Sequence, residues 1–236
     1  MADEGSIVVV AIDGPAGSGK STVAKRLAEA LGLFYLDTGA MYRAVTLAAL
    51  NEGLDPSDEP AVAERAERVD IELRSDGTVL VDGADCTEAI RSDAVNGAVS
   101  VVAANQAVRR ELVDRQRRWT RLRGGGVLEG RDIGSVVFPD ADLKVYLTAS
   151  PEVRARRRAG EQSDGTARDN AVEAVARDLA RRDAYDSGRA HDPLKVADDA
   201  HVVDTSDLTI DGVVELLVSM LGSAVGGPGH PVASGE

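Results

Sequence analysis

The chain has 236 residues, an ordinary globular composition poor in aromatics, and a formal net charge of −13. That length can bury a sizeable core in one domain, and the acidic balance argues against a nucleic-acid-binding surface. The single cysteine, Cys86, leaves no internal disulfide, and no apolar run reaches membrane-spanning length, so a cytoplasmic protein that binds neither nucleic acid nor membrane is expected.

The start, Met1–Gly5, is acidic and does not read as a signal peptide. Ile7–Ile12 is a short run rich in β-branched residues and reads as a strand buried on both faces. Gly14-Pro15-Ala16-Gly17-Ser18-Gly19-Lys20-Ser21 follows, matching G-x-x-x-x-G-K-[ST]. Thr22–Leu31 has helical spacing, with Gly32 as its stop. Strand, glycine loop and helix form the context that a phosphate-binding loop needs. Glycines let successive N–H groups turn inward around an anion, and the helix N-terminus adds a positive dipole end. In such a loop Lys20 reaches β- and γ-phosphates and the Ser21 hydroxyl holds Mg²⁺.

Leu33–Asp37 reads as a second strand and Ala40–Leu50 as a helix. A linker over 55–60 leads into a short helix, Ala61–Val69. Residues 70–82 then alternate polar and apolar around the turn Ser75-Asp76-Gly77, which predicts an inserted antiparallel hairpin with one solvated face. Asp93–Ala104 and Gln106–Leu122 read as helices, the second studded with arginine and stopped by Gly124-Gly125-Gly126. Val127–Glu129 and Leu143–Leu147 read as core strands. A helix opens at Pro151 and fades at Gly160, and residues 161–169 read as a polar, flexible stretch. Ala171–Tyr185 is a further helix, His201–Val203 a last strand and Ile210–Leu221 a last amphipathic helix. Residues 223–236 read as a disordered tail.

Alternating strands and helices argue a three-layer α/β sandwich with a parallel sheet, whose ligands sit at the carboxyl ends of the strands. The glycine loop, Asp37-Thr38-Gly39 and Glu129-Gly130-Arg131-Asp132 all fall at such ends. Of the 27 basic side chains only four are lysines, and the arginines concentrate in 109–123 and 154–189. Arginine suits bidentate phosphate recognition, so phosphorylated small molecules in a cleft are the expected ligands. No lysine lies in the N-K-x-D surround of a guanine reader, which disfavours a switch GTPase. A small-molecule kinase, with CMP, UMP or a hydroxylated metabolite as acceptor, and a catalytically silent nucleotide-binding module both remain open on these grounds.

The order and spacing of Gly14–Ser21, Asp37–Arg43, Gly130–Ala141 and Arg182–Arg189 resemble the bacterial cytidylate kinases, a branch of the P-loop nucleoside monophosphate kinases. The resemblance covers residues 5–222. It implies a P-loop sandwich over 1–222, with a small antiparallel monophosphate-binding insertion over 62–105 and a helical lid over 154–168. It implies phosphoryl transfer from ATP to CMP or dCMP, with Mg²⁺, by a monomer. Residues Gly14 to Thr22 and Arg157 would bind ATP. Thr38, Ser100, Arg109 and Asp132 would read cytosine, Arg43, Arg131 and Arg189 would hold the CMP phosphate, and Arg182 and Asp186 would face the ribose. Lys20, Arg131, Arg157 and Arg182 would act on the transferring phosphoryl group. Ser21 and Glu129 would hold the metal, although Glu129 stands where some members carry Asp, and Thr38 where Ser is common. If Asp132 accepts from the cytosine amino group and Arg109 donates to its ring nitrogen, UMP is expected to be a poor acceptor.

Overall fold

The structure, a computed structural model, describes residues 7–162, 169–189 and 191–225. Five strands form one parallel sheet in the order β2-β6-β1-β7-β8. They are β1 (Val8–Asp13), β2 (Tyr35–Asp37), β6 (Gly125–Gly130), β7 (Leu143–Thr148) and β8 (His201–Asp204). Side chains alternate across a strand, so β1 feeds two cores at once. Val9 and Ala11 pack on one face, with α2 (Thr38–Asn51), α3 (Glu59–Arg68), α4 (Asp93–Val102) and α5 (Gln106–Arg123). Val10 and Ile12 pack on the other, against Val23 and Leu27 of α1 (Lys20–Leu31) and Val213 and Leu217 of α8 (Ile210–Val225). Leu27 and Leu217 are fully buried, each contributing about 1.5–3 kcal/mol of apolar burial. A run apolar at every position, as in Val8–Ile12, is what a strand covered on both faces requires.

The insertion is larger than a hairpin. β3 (Ile71–Leu73) and β4 (Val79–Val81) pair antiparallel as expected, and β5 (Ala84–Asp85) adds a third strand to β4. Two polar-flanked residues carry no alternation, which is why the sequence pattern missed them. Beyond this sheet, Ala89–Arg91 forms a single 3-10 turn packed under α2.

Several boundaries differ from expectation. Gly124 ends α5 as a left-handed cap with its N–H on Thr120 and Arg121, but Gly125 and Gly126 are not part of a stop; they are the first residues of β6. A Cβ on Gly125, at φ 128°, would lie 2.3 Å from the Val8 carbonyl oxygen, so glycine there permits β1 and β6 to close. α3 begins at Glu59, inside the expected linker, because the Asp58 carboxylate caps Ala61 N–H and Pro60 suits the first turn. α8 continues to Val225, three residues into the expected tail; residues 226–236 lie outside the described residues.

α6 (Pro151–Gln162) and α7 (Asp169–Ser187) pack on each other beside the glycine loop. α6 runs past Gly160 to Gln162 and α7 begins at Asp169, so both ends of the expected flexible stretch are helical; residues 163–168, shared by that stretch and the expected lid, lie outside the described residues. Among the described residues no helix is long and apolar enough to cross a membrane.

Candidate active site

The loop between β1 and α1 is built around close backbone approaches. Gly14, at φ 145°, sits so near β7 that a Cβ would meet the Leu147 carbonyl oxygen at 2.0 Å. Gly17, at φ 75°, lies against the backbone of Arg154. Lys20 is buried, and its Nζ donates to the loop's own Pro15 carbonyl at 2.8 Å. The Ser18 hydroxyl donates to the same oxygen at 3.0 Å. Burial, aided by the Arg131 guanidinium, pushes the Lys20 amine down to about 7, against the pull of Glu129 and Asp13. A polyphosphate beside it restores its charge.

One cleft of about 190 Å³ opens at the carboxyl ends of β1, β2 and β6. It brings together Ala16, Gly17, Gly19, Lys20, Ser21, Thr22, Thr38, Arg43, Ser100, Arg109, Glu129, Arg131, Asp132, Arg182, Asp186 and Arg189 from the sequence-derived set. A second cleft shares Gly17, Gly19 and Thr22 with the first, contains Ser18 and Arg157, and has an apolar wall of Val23, Leu208, Ile210 and Val213. Arg157 is held there by Thr205, with Nη1 on its hydroxyl at 2.9 Å and Nη2 on its carbonyl at 2.7 Å. Gly14 and Pro15 line neither cleft; their carbonyls hold Arg131 and Lys20.

Glu129 lies at the end of β6, in register with Asp37 at the end of β2. Its Oε1 accepts from the Tyr35 hydroxyl at 2.6 Å, and the Ser21 side chain, which lines the same cleft, favours the ionised carboxylate. Burial, with the Asp37 charge alongside, raises the Glu129 carboxyl to about 7. A hydroxyl and a carboxylate are the hard oxygen donors that suit Mg²⁺, which takes one or two protein ligands and completes its shell with phosphate and water. Among the described residues no cluster of three or more acids, histidines or cysteines forms a metal cage. The residues present therefore fit a Mg²⁺ that arrives with phosphate. Asp37, read from sequence as a strand end and a helix start, caps α2 through Ala40 N–H at 2.9 Å.

The arginines converge from four elements. Asp186 on α7 accepts from Arg131 Nε at 2.9 Å and from Arg189, while Arg131 Nη1 donates to the Gly14 carbonyl at 2.5 Å. Arg43 on α2 is aimed by Asn96 Oδ1 at 2.7 Å and the Ile90 carbonyl at 3.1 Å. Burial and the Arg182 and Arg158 charges disfavour its cation. Arg182 has a buried Nε with no acceptor, and burial and Arg131 disfavour its charge. Guanidiniums crowded at the cost of their own solvation are offset by a polyanion.

Deeper on the same side, Arg109 and Asp132 form a buried ion pair. Arg109 Nε also donates to Asp192 at 2.9 Å, and the Tyr42 ring lies 5.9 Å from its guanidinium carbon. Burial raises the Asp132 carboxyl, and Arg109 opposes the rise. Ser100 lines the cleft nearby.

Sequence reading missed the carboxylates that hold this site together. Asp13 accepts from the N–H groups of Ile133 and Gly134, both at 2.8 Å, and so anchors the π-type turn Ile133–Val137 that follows Asp132. Arg117 grips the far end of that turn by the Val136 and Val137 carbonyls, both at 2.9 Å. Asp183 holds Arg154, which donates to the Ala16 carbonyl at 3.1 Å. A charge within the buried run Ile7–Asp13 was the one available signal, since an acid there needs partners.

A family model described as cytidylate kinase matches residues 10–223. The chain is 51% identical over 216 residues to a cytidylate kinase of Shouchella clausii, covering 90% of this chain and 95% of that one. It is 52% identical over 215 residues to a cytidylate kinase of Mycolicibacterium paratuberculosis, covering 90% and 94%. The relative from Rhodococcus opacus, also a cytidylate kinase, is 49% identical over 224 residues, covering 94% and 97%. The crystal structure of an uncharacterized protein from Eubacterium ventriosum aligns with a TM-score of 0.50 at 12% identity over 92% of this chain and 99% of that one, a likeness of fold alone. With its glycine loop, its arginine-lined cleft and relatives matched along nearly their whole length, the chain belongs to the cytidylate kinase family.

Proposed function

We infer that the protein transfers the γ-phosphoryl group of ATP to CMP or dCMP, giving ADP and CDP or dCDP. The observation that carries this reading is a single cleft that joins the glycine loop to the buried Arg109–Asp132 pair through a ring of arginines. ATP lies along Gly14–Thr22, its base against the apolar wall beside Arg157. The acceptor's cytosine faces Thr38, Ser100, Arg109 and Asp132, its phosphate Arg43, Arg131 and Arg189, its ribose Arg182 and Asp186. Residues 1–222 then act as one kinase domain, with 62–105 as the acceptor-side insertion and 154–168 as the lid.

No side-chain base is required. The nucleophile is an oxygen of the acceptor phosphate, whose second pKa is about 6, so it is already largely ionised at neutral pH. The barrier is the approach of two polyanions. Lys20 and the arginines, Arg131, Arg157 and Arg182 among them, offset that repulsion and stabilise charge on the transferring group. Mg²⁺ held by Ser21 and Glu129 would neutralise charge on the β- and γ-oxygens. The protein is assigned to the cytoplasm as a monomer whose partners are nucleotides.

The test is a coupled assay of ADP release with a panel of acceptors. CMP and dCMP are expected to be turned over and UMP to be poor, because uracil sets an acceptor against Asp132 and a donor against Arg109. Equal turnover of UMP, or ADP release that no acceptor stimulates, would overturn the reading.

A further inference from the structure

Asp192 is one of two non-glycine residues with positive φ among the described residues, at 49°; the other is Asp82. Both aspartates pair with a buried arginine, Asp82 with Arg65 and Asp192 with Arg109. Backbone held in this sparsely populated region costs about 1 kcal/mol or more, and such positions gather at functional sites. Asp192 follows α7 in a segment tied back to it, where the Leu194 N–H donates to the Asp186 carbonyl at 2.9 Å. Asp186 is the residue that holds Arg131 and Arg189, so the same segment serves both ends of the acceptor cleft.

The donors of Arg109 are divided among three acceptors. Nε goes to Asp192 Oδ2 at 2.9 Å, Nη1 to the Ala103 carbonyl at 3.4 Å, and Nη2 to Asp132 Oδ2. A guanidinium facing one carboxylate prefers a bidentate fork that takes both of its oxygens. Here the contact with Asp132 is a single bond, because Nε is directed away. The other oxygen of Asp132 thereby remains available to a ligand, as does a second N–H on Nη1 and on Nη2.

We propose that Asp192 is a positioning residue for base recognition: it draws Arg109 away from a fork with Asp132 and leaves each of them one face for cytosine. The proposal rests on the reading that Arg109 and Asp132 meet the base. Without the Asp192 carboxylate the guanidinium turns onto Asp132 and closes both of its oxygens. The cytosine amino group then has no acceptor, and a ligand without that group loses much less. Asp192 is half-buried while Arg109 and Asp132 are nearly fully covered, so removing it leaves the core in place.

Two variants separate the carboxylate from the backbone. Asp192→Gly fits a φ of 49° and removes the acceptor, whereas Asp192→Asn tolerates that φ and keeps one. KM and kcat for CMP, UMP and ATP, and the melting temperature, are measured on both and on Asp132→Ala. For Asp192→Gly the KM for CMP should rise about tenfold, the loss of one charge-assisted hydrogen bond. Its KM for ATP and its kcat should stay within about twofold, and its CMP:UMP ratio in kcat/KM should fall. Asp192→Asn should stay within about threefold of wild type in KM for CMP, because its amide oxygen accepts from Nε. A wild-type KM for CMP in Asp192→Gly, an equal rise in KM for ATP, or Asp192→Asn as impaired as Asp192→Gly would overturn the positioning role alone. An unchanged CMP:UMP ratio in Asp132→Ala would overturn the base-reading assignment and this proposal with it.

Discussion

Lys20 shows how much of a site's chemistry depends on one side chain being costly to keep charged. Its amine is buried, parked on the Pro15 carbonyl and pushed down to about 7 chiefly by burial. That cost becomes a binding term when phosphate arrives, since a nearby anion favours the ammonium more strongly inside the protein than in water. The same ammonium then meets charge that grows during transfer. We expect Lys20→Ala to lower kcat by at least about 100-fold while leaving the fold intact, because Lys20 contacts the loop and not either apolar core. Steady-state kinetics and circular dichroism check this; near-normal turnover with an unchanged spectrum would exclude the phosphate-contact role. Arg182 follows the same logic with its buried Nε left without an acceptor.

At the scale of elements, the site depends on where parallel strands stop. Asp13, Asp37 and Gly130 end β1, β2 and β6 side by side, and each is followed at once by polar chemistry: the glycine loop, the capped start of α2, and Arg131-Asp132. β6 lies between the other two and must approach β1 closely. Gly125 makes that approach possible at its amino end. Gly125→Ala is expected to cost about 2–3 kcal/mol, because both a Cβ facing the Val8 carbonyl oxygen and a φ of 128° oppose it. Thermal unfolding would register this as a loss of several degrees, and an unchanged midpoint would mean that the two strands can separate there without loss.

For the whole molecule, the buried acids near the cleft set a pH dependence. Burial raises Asp13 to about 6 and Glu129 to about 7. Each holds its proton more tightly in the folded chain than in the unfolded one. Their stabilising contribution is therefore complete below the ordinary carboxylate range near 4 and is lost as pH rises through 6 and 7. Lys20, pushed down to about 7 by burial, opposes folding more as pH falls toward 7, and that cost changes little below it. Between pH 7.5 and 5.5 the two acids outweigh the lysine. Without nucleotide, the melting temperature should thus rise by a few degrees over that interval on acidification, at about 2–4 °C per kcal/mol for a chain of this size. Glu129→Gln should remove most of the rise. A melting temperature that falls steadily from pH 7.5 to 5.5 would contradict raised values for these acids.

The core strands, the helices and the glycine loop were legible from the sequence because each is written in local pattern, whereas Ser100, Arg109 and the other acceptor-side residues of the cleft came only from the resemblance to the bacterial cytidylate kinases. A doubly covered strand needs an unbroken β-branched run, a phosphate loop needs its glycines and lysine in a fixed spacing, and an amphipathic helix needs its period. The partners of those residues were not legible. That Asp13 anchors the turn after Asp132, that Asp186 holds Arg131, and that Asp192 shares Arg109 with Asp132 depend on segments far apart in the chain. The same holds for Gly125, whose reading as a stop or as a strand turned on how near Val8 lies. Periodicity reports which face of an element is apolar. Only the folded arrangement decides which carboxylate meets which guanidinium, because a buried charge selects its partner by distance in space and not along the sequence.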